Sequence, residues 1–247
     1  GDPELANPDD IEDYAPLSDS SWRGFEKESY LHYEANWMLI VDNLADFSHL
    51  AFVHTNTLGG SEDYAFVTNP EVEKLKNGFK IVRWSKNDAP APYHAKVNSD
   101  LPKKLDRCNS VKMLVPGIFF MSTTMAPVGW DPSGDSFEGV KEYRNCQFMT
   151  PETKSTTHFF WNYLHNYRIN DGSISKSLQE SLLEGFMEDK EIIEAQQKML
   201  ENEDQFQPRG MQGDEAFVHF RKLYNVLLKQ ERKKYNFHQQ SIGNSII

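Results

Sequence analysis

Two histidines, His49 and His54, and one aspartate, Asp189, have the residue types and the settings for holding a metal ion. The histidines end a stretch, residues 36–54, whose first part reads as a buried helix. From Trp37 to Phe47 it is apolar on nearly every side and carries two charges, Asp42 and Asp46. At about 100° per residue, Asn36, Asn43 and Asp46 fall on one line of that helix. Buried amides and carboxylates cost on the order of 1–3 kcal/mol each unless they are partnered, so something has to answer this polar stripe. Asp189 breaks a second pattern. Steps of four, four, three and four residues join Leu178, Leu182, Phe186, Asp189 and Ile193 in a helix expected over residues 177–202. That periodicity aims the carboxylate where the core should be. Metal coordination is one remedy for such a group, and a salt bridge to a Lys or Arg is the other.

The spacing of the histidines constrains the elements that must position them. In a continuous helix, five residues turn the chain by about 500° and leave the two imidazoles about 140° apart. The helix therefore has to break or loosen between them before both can face one ion. Zinc proteases place their pair four apart with a glutamate base beside it; this chain has neither feature, which argues against that class. Two histidines and one carboxylate are instead the ligand set of mononuclear non-heme Fe(II) oxygenases, in which open positions remain on the metal. Two histidines alone would be independent core or surface residues; the stripe-breaking Asp189 makes the set.

Residues 42–54, Asp-Asn-Leu-Ala-Asp-Phe-Ser-His-Leu-Ala-Phe-Val-His, resemble the iron-binding motif of the Rieske non-heme iron oxygenases, D-N-L-x-D-x-x-H-x-x-x-x-H. Glu188-Asp189-Lys190 is similar to the segment bearing their third ligand. Residues 150–160, Thr-Pro-Glu-Thr-Lys-Ser-Thr-Thr-His-Phe-Phe, look like the vanillate O-demethylase and dicamba monooxygenase branch. The resemblance implies an antiparallel sheet curled around a long helix, the helix-grip form. It also implies Fe(II) on His49, His54 and Asp189, O2 as co-substrate, and hydroxylation or O- or N-demethylation of a small aromatic substrate. Electrons would come from a [2Fe-2S] Rieske cluster, fed from NAD(P)H through a reductase or ferredoxin. In the implied homotrimer, Asp46 links His49 to a cluster-ligating histidine of the adjacent subunit; Asn43, near it in the sequence, helps to order the site, with a structural amide as the alternative. The cluster motifs C-x-H and C-x-x-H are not in this sequence, whose cysteines are Cys108 and Cys146. Gly1-Asp2-Pro3 resembles the point where the cluster domain hands over to the catalytic one. The expectation is a connector over residues 1–25 from a Rieske domain absent from this chain, then a catalytic domain over residues 26–247.

A chain of 247 residues, 38% hydrophobic and 13% aromatic, can bury the core of one large domain. No apolar run is long enough to cross a membrane as a helix. A net charge of −11 disfavours nucleic acid and anionic membranes as partners, and two cysteines fit a reducing cytoplasm. Strands are expected at residues 26–35, 71–76, 79–84, 108–114, 118–125, 140–150 and 155–167, with Asn77-Gly78 as a hairpin turn. Residues 87–104, with Pro90, Pro92 and Pro102, read as a long loop and a candidate lid. Helices over residues 177–202 and 214–232 follow the strands, which makes the fold class α+β. In the strand after Thr150, His158, Phe160 and Asn162 alternate onto one face and Phe159, Trp161 and Tyr163 onto the other. The first three are the expected substrate-binding residues, the resemblance placing His158 near the substrate, with a core histidine as the alternative for His158. A different class of function, a helix-grip module that binds a small apolar ligand without catalysis, has no need of the full triad.

Overall fold

The computed structural model describes residues 8–27, 29–59, 70–202 and 215–235. The handover expected at Gly1-Asp2-Pro3 and the last twelve residues, 236–247, of the expected catalytic domain lie outside the described residues. Seven strands form one antiparallel sheet: β1 Tyr30–Tyr33, β2 Glu71–Leu75, β3 Gly78–Asp88, β4 Leu105–Leu114, β5 Ile118–Ala126, β6 Lys141–Pro151 and β7 Thr157–His165. Their spatial order is β1-β7-β6-β5-β4-β3-β2. Consecutive strands pair from β2 to β7, and β1 crosses over to close the row beside β7. The helices are α1 Trp37–Ala45, α2 Leu50–Val53, α3 Pro92–Val97, α4 Gly172–Glu201 and α5 Glu215–Tyr235. This is the α+β, helix-grip class expected of the sequence, with helices gathered on one face of an antiparallel sheet.

Alternation along the strands builds that face. Phe119, Met149, Phe159, Trp161 and Tyr163 are buried in one cluster with Ile40 and Val41 of α1, Leu178, Leu182 and Phe186 of α4, and Phe220 of α5. At about 25 cal/mol per Å2 of apolar surface, each such side chain contributes about 1.5–3 kcal/mol. Helix α4 is 30 residues long and begins before its apolar stripe, because the Asp171 carboxylate accepts from the Ser173 amide as an N-cap. Its Glu194 and Gln197 side chains accept from the backbone amides of Glu34 and Asn36, which fixes the entry to α1. Arg221 of α5 pairs with Asp42 of α1, so the helices are tied across the core.

Two local expectations are corrected. The β2–β3 hairpin pairs Leu75 with Gly78, so Lys76 and Asn77 make the turn and Gly78 belongs to the sheet. A Cβ on Gly78 would lie 1.9 Å from the Met113 carbonyl oxygen; close approach of β4 is what calls for glycine here. The expected loop over residues 87–104 contains α3, started by Pro92 at its first turn, with Tyr93 and His94 buried. The N-terminal segment lies on the outer face of the sheet. Tyr14 stacks on Phe120 at 4.3 Å, its hydroxyl donates to the Asn145 carbonyl, and Arg23 bridges to His165 through backbone hydrogen bonds. Among the described residues no helix is long and apolar enough to cross a membrane.

Candidate functional site

Helix α1 starts at Asn36, whose side chain accepts from the Met38 amide, and stops at Ala45. Asp46 is extended, at φ −100° and ψ 101°. Its carboxylate accepts from the Ser48 amide at 2.7 Å and from the Ser48 hydroxyl at 2.6 Å, a local turn that competes with the helix and ends it. His49 then caps α2, a single turn, and His54 leaves that turn at its other end. The backbone stays helical from His49 to Val53 and, contrary to the expected break between the histidines, loosens only at His54, at φ −106° and ψ 40°; the ring centroids lie 5.2 Å apart.

Asp189 comes to meet them from the buried face of α4. Its Oδ1 lies 3.0 Å from His54 Nε2 and 3.5 Å from His49 Nε2. One ligand atom from each residue lies within 4.8 Å of the others. Two donors bound to one ion at about 2.0–2.2 Å each are no more than about 4.4 Å apart, so the two pairs through Asp189 suit a shared cation, and the imidazoles need only close slightly to join it. His54 is fully buried, Asp189 4% exposed, and the donor set is that of the facial triad. Asn43 donates to the same Asp189 Oδ1 at 3.0 Å, which answers part of the polar stripe.

The groups behind the donors differ from expectation. His49 Nδ1 bonds the backbone carbonyl of Asp46, while the Asp46 carboxylate is engaged by Ser48. His54 Nδ1 is held by Glu188 Oε2 at 2.7 Å, and Glu188 in turn accepts from the Thr57 hydroxyl at 2.6 Å. A carboxylate on the far nitrogen fixes the tautomer and aim of a metal-binding imidazole. Burial disfavours charge on His54, but the hydrogen bonds and negative charges of Asp189 and Glu188 outweigh it and raise its pKa. The signal for Glu188 is its place next to Asp189; helical spacing alone could not show that α2 passes beside both.

The triad opens into a cavity of about 710 Å3, open solvent at its mouth included. The helix wall carries Asn43, Asp46, Leu182 and Phe186 beside the triad, and the sheet wall carries Arg107, Asn109, Phe119, Met121, Asn145 and Gln147. Tyr93 and His94 of α3 join them. His158, Phe160 and Asn162 are on the other face. His158 bonds the Tyr30 hydroxyl, Phe160 is 45% exposed, and Asn162 accepts from the Phe25 amide. The structure therefore does not bring these three to the cavity. Aromatic residues occupy both faces of β7, so alternation could not say which face is inner; the helices decide it.

Residues 33–230 match the family model described as the vanillate O-demethylase oxygenase C-terminal domain. The iron-sulfur subunit TsaM1 of the toluene-4-sulfonate monooxygenase system of Comamonas testosteroni is 37% identical over 204 residues, 81% of this chain and 57% of that protein. The oxygenase component of dicamba O-demethylase from Stenotrophomonas maltophilia is 27% identical over 201 residues, 79% of this chain and 55% of that one. The chain thus spans little more than half the length of these curated relatives. Dicamba monooxygenase bound to 3,6-dichlorosalicylic acid superposes with a TM-score of 0.82 at 24% identity, over 94% of this chain and 66% of that one, a likeness of fold. With the matched model covering most of the chain and the seven-stranded sheet superposing on that oxygenase, this chain belongs to the vanillate O-demethylase oxygenase C-terminal domain family, the catalytic domain of Rieske-type oxygenases.

Proposed function

We propose that this chain is the catalytic domain of an oxygenase component that holds Fe(II) on His49, His54 and Asp189 and oxidises a small aromatic substrate in the adjoining cavity. The observation that carries the reading is the convergence of two imidazoles and one buried carboxylate on a cavity in a chain of this family. Bound there, Fe(II) supplies activation of O2 for hydroxylation, or for demethylation where the attacked carbon is an O- or N-methyl group. The protein's own part is to bind, orient and exclude water. Asp189, with Asn43 on the same oxygen, presents one anionic ligand. Glu188 and the Asp46 carbonyl hold the two rings in register. Leu182, Phe186, Phe119 and Met121 supply the apolar part of the cavity wall.

The names of the relatives, an iron-sulfur subunit and oxygenase components, support electron supply from a Rieske [2Fe-2S] cluster outside this chain. In this reading the cluster is served from NAD(P)H by a reductase or ferredoxin. The arrangement includes a homotrimer in which electrons enter near Asp46. A binding module without catalysis has no use for the buried triad.

The test is product formation by Fe(II)-loaded protein supplied with an iron–sulfur electron donor and O2, screened against methyl- and methoxy-substituted aromatic acids. Product from the wild type and none from Asp189→Ala is the expected result. Iron-loaded wild type that consumes no O2 with any substrate would contradict the reading.

A further inference from the structure

The face of the sheet turned away from the cavity gathers a second set of metal-ligating side chains. His32 of β1 and His158 of β7 stand directly opposite each other across the strands, an arrangement that sets Cβ atoms about 4.5–5.5 Å apart. Their ring centroids are 5.4 Å apart, against 5.2 Å for His49 and His54. Glu152, in the turn between β6 and β7, reaches both rings: its Oε2 lies 2.7 Å from His32 Nε2 and its Oε1 3.7 Å from His158 Nε2. That turn is fixed by the Glu152 amide, which donates to the Thr156 carbonyl at 3.0 Å. The far nitrogens are held as well. His32 Nδ1 lies 3.3 Å from Glu34 Oε1, and His158 Nδ1 2.8 Å from the Tyr30 hydroxyl. A neutral imidazole has one hydrogen to donate, yet His32 has a carboxylate at each nitrogen. One of its lone pairs therefore faces a negative oxygen unless a proton or a metal ion lies between.

We propose that His32 Nε2, His158 Nε2 and the Glu152 carboxylate form a second metal site, one for Zn2+, that clasps the edge strand β1 to β7 and to the turn before it. Imidazole nitrogens and a carboxylate are ligands that zinc takes at about 2.0–2.2 Å, with water able to complete the four-coordinate shell. Glu34 on His32 Nδ1 and Tyr30 on His158 Nδ1 then supply the outer hydrogen bonds that fix tautomer and ring direction in metal-bound histidines. Two donors on one such ion are no more than about 4.4 Å apart. Both Glu152 pairs meet that limit, and the shorter one has to open by less than about 1 Å. Among the described residues the triad alone has all its ligand atoms within 4.8 Å of one another, so the outer rings turn in as the ion binds. The two imidazole side chains are each 34% exposed and that of Glu152 44%, which leaves them this freedom. β1 is four residues long and ends the row of strands, so a cross-link here secures the strand that leads into α1.

The experiment is equilibrium dialysis of the full chain against buffered, micromolar Zn2+, followed by metal analysis, with the fold of each variant checked by circular dichroism. It is run on wild type, on Asp189→Ala, which disables the triad, and on Asp189→Ala combined with His158→Ala, Glu152→Gln or Tyr30→Phe. Asp189→Ala alone is expected to hold one zinc ion per chain. Adding His158→Ala or Glu152→Gln should empty the site. Adding Tyr30→Phe keeps the ring but removes the hydroxyl that orients His158, and should weaken zinc binding about 10-fold or more. If Asp189→Ala does not fold, the loss of one zinc ion between wild type and His158→Ala gives the same readout. Asp189→Ala protein that takes up no zinc, or zinc that survives both His158→Ala and Glu152→Gln, would overturn the proposal; the first result would leave a proton as the cation between His32 and its carboxylates.

Discussion

At the scale of single residues, the triad was legible because each member violated a pattern. Asp189 interrupts an apolar stripe, and the histidines follow a helix too polar on one side for its surroundings. Glu188, His94 and Arg107 broke no pattern visible in one dimension. Glu188 sits on a helix rich in acids, His94 in a proline-punctuated stretch, and Arg107 just ahead of the strand expected from Cys108, so their roles come from elements meeting in space. Two predictions belong here. Glu188→Gln should weaken Fe(II) binding about 10- to 100-fold, the usual effect of disturbing a group that orients a ligand, because His54 Nδ1 loses its charged partner. Competition with a chelator measures it, and unchanged affinity would remove Glu188 from the site. Asp46→Asn keeps an oxygen for Ser48 and hence the turn, so iron should stay bound while turnover of the complete enzyme falls at least about 10-fold. Normal turnover would leave Asp46 with a structural role only.

At the scale of elements, the one-turn helix α2 is the part that makes a spacing of five work, and Gly59 secures it. The Gly59 amide donates to the His54 carbonyl at 2.8 Å. A Cβ at that position would lie 2.4 Å from the same carbonyl oxygen and 2.6 Å from that of Leu50. Both obstacles are backbone, so the segment carrying His54 has to move. Gly59→Ala is expected to lower stability by about 1–3 kcal/mol, the cost of overpacking, and to reduce iron occupancy with it. Thermal unfolding and metal analysis on one preparation check this; an unchanged occupancy would mean that α2 tolerates the shift. Strands and long helices were readable from period-2 and period-3.6 patterns, and their boundaries agree closely with β5 and α5. The turn at Lys76-Asn77 and the helix at Pro92–Val97 were not, since the first depends on how closely β4 approaches and the second is too short to show a period.

At the scale of the whole molecule, one end of the sheet, where β3, β4 and the loop after β5 meet, is pinned by a buried carboxylate. Asp106, with a side chain 2% exposed, accepts from Lys86 Nζ at 3.0 Å, the Asn87 amide at 2.8 Å and the Gly129 amide at 3.0 Å. Burial favours the neutral acid, but these donors outweigh it and hold the carboxyl below its ordinary value of 3.8. A carboxyl that titrates lower in the fold than in the unfolded chain adds stability that is complete above pH 3.8 and is lost as pH falls through the lower folded value. Asp106→Asn should therefore cost about 2 kcal/mol at neutral pH, with the difference from wild type shrinking in acid below that value. Denaturant unfolding across pH measures it, and a constant difference would assign the effect to packing. The central claim, however, is that the fold exists to hold a mononuclear iron on His49, His54 and Asp189. Electron paramagnetic resonance of the nitric oxide adduct of anaerobically Fe(II)-loaded protein tests it most directly, on wild type and Asp189→Ala. A high-spin ferrous–nitrosyl signal in the wild type, lost in a variant that keeps its fold by circular dichroism, is the predicted result. A wild type that takes up zinc alone or no Fe(II), or a variant whose signal matches the wild type, would contradict it.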